Sequence, residues 1–211
     1  VRTMGERQHV FLEGVRLIED AIKTGVHFES VAFTAELESS ERGAALLESL
    51  RRVQCRGALV SKQVMESIAE TKTPQGVAAL VSRPFIDLDD LFSNSPDLLV
   101  IADELQDPGN LGTIIRTAEA SGAHGVITTR YTVDPFIEKA IRASMGSALR
   151  LPVVTGASRA DIAARCRELS MKVIATRANP VSAHGVIEDA ARSQRVKLCT
   201  EIDMTVPVAL V

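Results

Sequence analysis

The stretch LLVIADELQDPGNLGTIIRTAEASG, residues 98–122, decides the fold. Its first five residues are all apolar, as a strand covered on both faces requires. Leu111, Ile114, Ile115 and Ala118 then recur at helical spacing, and Gly122 follows where a helix would stop. A buried strand that passes through a short polar loop into a helix is the repeating unit of a parallel sheet.

Downstream the rhythm continues. Strands are predicted over residues 125–128, 151–155, 172–176 and 206–211. Asp134-Pro135 reads as an N-cap followed by proline at the first helical position, opening a helix to about residue 145. Further helices are expected over 158–169 and 188–193. The fold class is therefore α/β, with a doubly wound parallel sheet. Upstream, strands over 9–12, 30–34, 58–60 and 76–82 alternate with helices over 15–22 and 44–53. A third helix is capped by Ser61 and holds Val64, Met65, Ile68 and Ala69. This is a small α/β/α unit. Pro84, Pro96, the acidic cluster Asp87, Asp89, Asp90 and Ser93-Asn94-Ser95 mark connecting chain. The expected division is a first domain over 1–84, a linker over 85–97 and a second domain over 98–211.

The chain has 211 residues and 45% of them are apolar, enough for a packed core. Its net charge of −3 excludes a histone-like polybasic protein. With no Trp, one Tyr and six Phe, a stacking platform for single-stranded bases, as in an RRM or OB-fold, is not expected. Cys55, Cys166 and Cys199 are far apart and form no CxxC, so the sequence supports neither a disulfide framework nor a metal site. No apolar run reaches the ~20 residues that span a bilayer, and a reduced cytoplasmic setting fits. The run Val206-Pro207-Val208-Ala209-Leu210-Val211 reads as a buried strand with further chain to come, so a longer parent protein is expected.

The polar loop 103–110 falls where ligands bind in doubly wound folds, beyond the carboxyl ends of the strands. Gly112 and Arg116 are four apart, so Arg116 could lie back over a residue with no side chain and reach the helix N-terminus. That arrangement suits a phosphate or carboxylate, with Asn110 at the N-cap or pinning the loop. The other reading is a capped helix whose Arg pairs with Glu119. Gly109-Asn110-Leu111-Gly112 is G-x-x-G rather than G-x-G-x-x-G. Arg130 stands where an acidic ribose partner would be, so an NADP oxidoreductase is the weaker alternative.

Asp107 to Ala118 resembles the first motif, N-x-G-x-x-x-R, of the SpoU (TrmH-type) RNA 2′-O-ribose methyltransferases. Phe11-Leu12-Glu13-Gly14 and Thr73-Pro74-Gln75-Gly76-Val77-Ala78-Ala79 resemble the start and last strand of that family's L30e-like substrate-binding domain. The segment from Arg142 to Val153 resembles the one after the catalytic domain's second helix. The resemblance implies methyl transfer from S-adenosylmethionine to a ribose 2′-OH of RNA, rRNA ahead of tRNA, by a homodimer. It implies Arg116 and Asn110 as catalytic and Thr176 and Arg177 as cofactor-binding. Arg116, Ser144, Arg51, Arg52 and Lys62 would contact RNA. The family's Gly-Asn-Glu-like and Ser-Leu-Asn-Val-like motifs, which complete the cofactor pocket and a SPOUT-type trefoil knot, would follow Val211. A non-catalytic RNA-binding module is the alternative of another class.

Overall fold

A computed structural model describes residues 8–176 and 202–211. The first domain is built on a four-stranded sheet of β1 (His9–Glu13), β2 (Phe28–Phe33), β3 (Arg56–Leu59) and β4 (Val77–Ser82), in the order β1-β4-β2-β3. Strand β4 is antiparallel to β1 and β2, whereas β2 and β3 are parallel. Alternation turns Val10, Leu12, Val31, Val77, Ala79 and Val81 to one face. Helices α1 (Val15–Thr24) and α3 (Glu41–Arg52) add Ile18, Ala21, Leu46, Leu47 and Leu50 to the same apolar cluster. Gly25, in the left-handed region, ends α1 as expected. Short α2 (Ala35–Glu38) is capped by Thr34, and α4 (Lys62–Ile68) by Ser61.

The second sheet holds β5 (Leu98–Ala102), β6 (Gly125–Thr129), β7 (Val153–Ala157), β8 (Lys172–Ile174) and β9 (Val208–Leu210), all parallel, in the order β7-β6-β5-β9-β8. The order reverses at β5: β6 and β7 are added on one side, β9 and β8 on the other. The crevice beyond its carboxyl end is therefore a topological switch point. Helix α6 (Pro108–Ala120) joins β5 to β6, and α9 (Arg159–Glu168) joins β7 to β8. The expected helix over 188–193 lies outside the described residues, as does most of the β8–β9 connection.

Three expectations need correction. Residues 85–97 are not plain linker: α5 (Leu88–Ser93) buries Leu91 and Phe92 against Leu99, Ile101, Ile127 and Val154, and so belongs to the second sheet's core. Asp134 does not cap a helix. Helix α7 (Glu138–Ala143) starts after Ile137, and the Asp134 carboxylate is shared between both outer nitrogens of Arg83, at 2.8 and 2.9 Å, and the Phe136 amide, at 3.0 Å. The helix also stops early. Met145 and Gly146 adopt positive φ, and a separate turn, α8 (Ser147–Arg150), follows.

The Arg83–Asp134 pair fastens the domains to each other, with Arg83 also lying 4.5 Å over the Phe136 ring. A second clasp joins Arg142 of α7 to Glu70, both outer guanidinium nitrogens at 3.4 Å. One apolar cluster runs unbroken from Val10 and Leu12 to Leu111, Ile115, Ile141 and Leu149. Glu138 sits at this junction with a buried carboxyl oxygen that has no hydrogen-bond partner. Burial, then the neighbouring Glu70, pushes its carboxyl up to about 8 against the opposing pull of Arg142. An unfolded carboxyl ionises near 4.5, so the stability this group contributes is full below that pH and is lost as pH rises through about 8. Glu138→Gln is therefore expected to melt above the parent at pH 8, with the gap closing towards pH 5. Equal melting differences at both pH values would refute this.

Candidate functional site

Loop 103–107 leaves β5 at the switch point and is held there by the end of β6. Thr129 Oγ1 donates to Asp103 Oδ1 at 2.8 Å and accepts from the Glu104 amide at 3.0 Å. Thr132 Oγ1 donates to the Ala102 carbonyl at 3.1 Å, and the Val133 amide to the Leu105 carbonyl at 2.8 Å. Gln106 Nε2 donates to the carbonyls of Glu104 and Tyr131. These bonds keep Glu104 in the left-handed region, at φ 52°. Arg159, the first residue of α9, adds Nε to Asp103 at 3.0 Å and Nη2 to Glu104 at 2.8 Å. Arg159, and after it Thr129, hold the Asp103 carboxyl below the usual carboxylate range. The loop is thus a fixed scaffold whose acidic groups are largely neutralised from α9.

The helix it feeds begins one turn earlier than expected. Asp107, not Asn110, is the N-cap: its Oδ1 accepts from the Asn110 amide at 2.7 Å, and Pro108 takes the first helical position. Asn110 is exposed in the first turn of the helix.

Gly112 does not make room for Arg116. A Cβ there would lie 2.5 Å from the Ala140 carbonyl oxygen, 2.6 Å from Ala143 Cβ and 2.8 Å from the Ser144 nitrogen. The space over this glycine is filled by α7, so the guanidinium cannot fold across it. Arg116 is instead exposed and makes no ion pair among the described residues. Glu119, its alternative partner, is bound by Arg150 at 2.7 and 2.8 Å.

The other expected positions divide. Ser144 is fully buried, its hydroxyl donating to the Ile141 carbonyl at 2.8 Å. It closes the end of α7 and presents nothing to RNA. Thr176 lies two residues beyond β8, at the same edge as the carboxyl tip of β5. Its amide and hydroxyl both donate to the Val211 carbonyl, at 2.7 and 2.8 Å. Arg177 lies outside the described residues. Arg51 and Arg52 are exposed and share Glu48, at 3.6 Å each, and Lys62 faces Glu66 at 3.9 Å. Such exposed pairs contribute little to stability. Sequence reasoning missed Thr129, Thr132, Arg159 and Tyr131. The signal for Thr129 was present: a hydroxyl at the tip of an otherwise apolar interior strand needs a nearby partner.

Among the described residues, no helix is long and apolar enough to cross a membrane. The SpoU rRNA methylase family model matches residues 97–206, and an MRM3-like substrate-binding domain model matches residues 4–79. An uncharacterized tRNA/rRNA methyltransferase of Synechocystis sp. is 38% identical over 157 residues, which cover 72% of this chain and 54% of that protein. The 23S rRNA (uridine(2479)-2′-O)-methyltransferase of Streptomyces viridochromogenes is 34% identical, covering 71% of this chain and 51% of the relative. The chain thus spans about half the length of these curated relatives. The solved structure of the SpoU methyltransferase AviRb from S. viridochromogenes, in complex with AdoMet, superimposes with a TM-score of 0.76. It is 26% identical, and the match covers 96% of this chain and 72% of that one.

Proposed function

Because the chain belongs to the SpoU rRNA methylase family, we propose that its parent protein transfers a methyl group from S-adenosylmethionine to a ribose 2′-hydroxyl of ribosomal RNA. The observation that carries this reading is the placement of residues 103–116. The motif that names the family runs from a pinned loop into a helix at the point where the strand order reverses.

The crevice beyond β5, β9 and β8 would hold part of the cofactor, the rest of the pocket coming from the motifs that the resemblance places after Val211. Thr176 and the half-buried Leu210 and Val211 stand at this edge, where the Thr176 carbonyl would accept from an exocyclic amine and the two apolar residues would give contact. Bound there, S-adenosylmethionine supplies an electrophilic methyl carbon on a sulfonium. The protein's own task is to bring a weak nucleophile into line. Arg116 keeps its proton and acts as a fixed positive charge. It pairs with the phosphate beside the target ribose, orients the 2′-hydroxyl and stabilises the negative charge that grows as the proton leaves to a phosphate oxygen. Its exposure supports this role, since a polyanion can reach it without displacing a carboxylate. Asn110 holds the substrate or the donor side of the same crevice. Arg51, Arg52 and Lys62 give the first domain its grip on the RNA backbone. The reading includes a cytoplasmic homodimer paired through the second domain, which sedimentation velocity would test.

The decisive experiment supplies the full-length parent with tritiated S-adenosylmethionine and unmodified rRNA. Methylation of a 2′-oxygen blocks alkaline cleavage at the next phosphodiester, so label should appear in alkali-resistant dinucleotides. Label confined to bases, or no transfer, would overturn the reading. Arg116→Lys keeps the charge but loses the planar fork, and the rate is expected to fall about 100-fold. Near-parental transfer by that variant would remove Arg116 from the mechanism.

A further inference from the structure

Tyr131 is the only tyrosine of the chain, which also has no tryptophan. It is 78% exposed, on the turn that follows β6. Its φ is 70°, a conformation that bulky L residues adopt rarely and at a cost. The turn around it is rigid. Gln106 Nε2 donates to the Tyr131 carbonyl, and the Thr132 amide donates to the Thr129 carbonyl at 3.2 Å. Thr129 and Thr132 on either side are buried. The fold therefore holds the Tyr131 backbone in a strained conformation and leaves its side chain largely exposed. Strain of this kind, held by its surroundings, points to a use outside the chain.

The position narrows that use. Through Gln106 the turn is tied to the loop that opens the candidate site. Arg130, the preceding residue, is exposed and makes no ion pair among the described residues. A planar aromatic face beside an uncommitted guanidinium matches one element of a single-stranded nucleic acid, an unpaired base and its phosphate. We propose that Tyr131 is a stacking platform for an unpaired base of the RNA substrate adjoining the methylated nucleotide, with Arg130 on that base's phosphate. This rests on the reading of RNA as substrate. It runs against the expectation, drawn from scarce aromatics, that the chain carries no stacking platform: one ring at this edge suffices for one base.

The composition supplies a direct probe, because tyrosine emission from this chain reports Tyr131 alone. A 12-nucleotide single-stranded RNA of mixed sequence with a terminal dye is titrated into the chain. Dye anisotropy follows binding, and tyrosine emission, corrected for RNA absorption with free N-acetyltyrosinamide, follows stacking. The expected result is quenching of more than half the emission along the anisotropy isotherm. Tyr131→Ala should weaken binding about tenfold, and Tyr131→Phe should bind within about twofold of the parent. Tyr131→Gly should lose affinity like the alanine variant while melting no lower than the parent, since glycine accepts this φ freely. Binding without quenching, or an alanine variant of parental affinity, overturns the stacking role and leaves RNA binding standing. No anisotropy change with any RNA strand overturns the RNA reading and this proposal with it.

Discussion

Gly112→Ala is expected to lower the melting temperature, although the same change in an exposed helix would raise it. Alanine is favoured over glycine in a helix interior by about 1 kcal/mol. Here the added methyl would meet a carbonyl oxygen of α7 at 2.5 Å, the Ala143 Cβ at 2.6 Å and a backbone nitrogen at 2.8 Å. None of these is the end of a flexible side chain, so α6 and α7 must separate. Overpacking a close contact costs roughly 1–3 kcal/mol for small insertions, and the backbone placement puts this site at the upper end. A net loss of about 2 kcal/mol corresponds to a drop of roughly 4–8 °C for a chain of this size. Gly112→Leu should fall further, or fail to fold. Thermal melts followed by circular dichroism check both, and an alanine variant melting at or above the parent would refute the close approach.

Arg83→Ala is the second large effect. The Arg83 and Asp134 side chains are only 14% and 13% exposed and are joined by two short bonds. Removing one partner of a buried pair strands the other charge and costs about 3–5 kcal/mol. Loss of the ring contact with Phe136 adds to this. The double variant Arg83→Ala, Asp134→Ala should be less damaged than the sum of its single variants, because no charge is then left without a partner. Urea titrations of the four proteins measure the coupling, and strict additivity would show that the pair contributes nothing as a pair.

The fold was legible wherever burial leaves a periodic trace. The all-apolar run 98–102 became the central strand, the helical spacing after it became α6, and Gly25 stopped α1. Legibility failed where a side chain had two possible local uses and tertiary structure chose between them. Asp134 could cap a helix or bind an arginine fifty-one residues back, and only packing brings Arg83 within reach. Asp107 and Asn110 are both good N-cap types three residues apart, and the presence of Pro108 favoured the first. Leu91 and Phe92 were the missed sign that residues 85–97 carry a helix. Two adjacent large apolar residues among prolines and acids mark burial. At the site, the stretch 103–116 was found by its place between strand and helix. The partner across Gly112 was not, because nothing in a single sequence says that α7 arrives there. Glycine at helical spacing announces close approach by something; it does not say by what.

The order β5-β9-β8 has a consequence for how this molecule comes into being. Leu98 pairs with Val208, and β8, made well before β9, touches the rest of its sheet only through β9. Among the described residues, a nascent chain emerging from the ribosome therefore has no strand to pair with that flank of β5, or with β8, until the late strand slots between them. Two unpaired ribbon edges exposed for that interval invite pairing with other chains. Translation arrested just short of Val208 would release a species with both of these edges open and prone to clump.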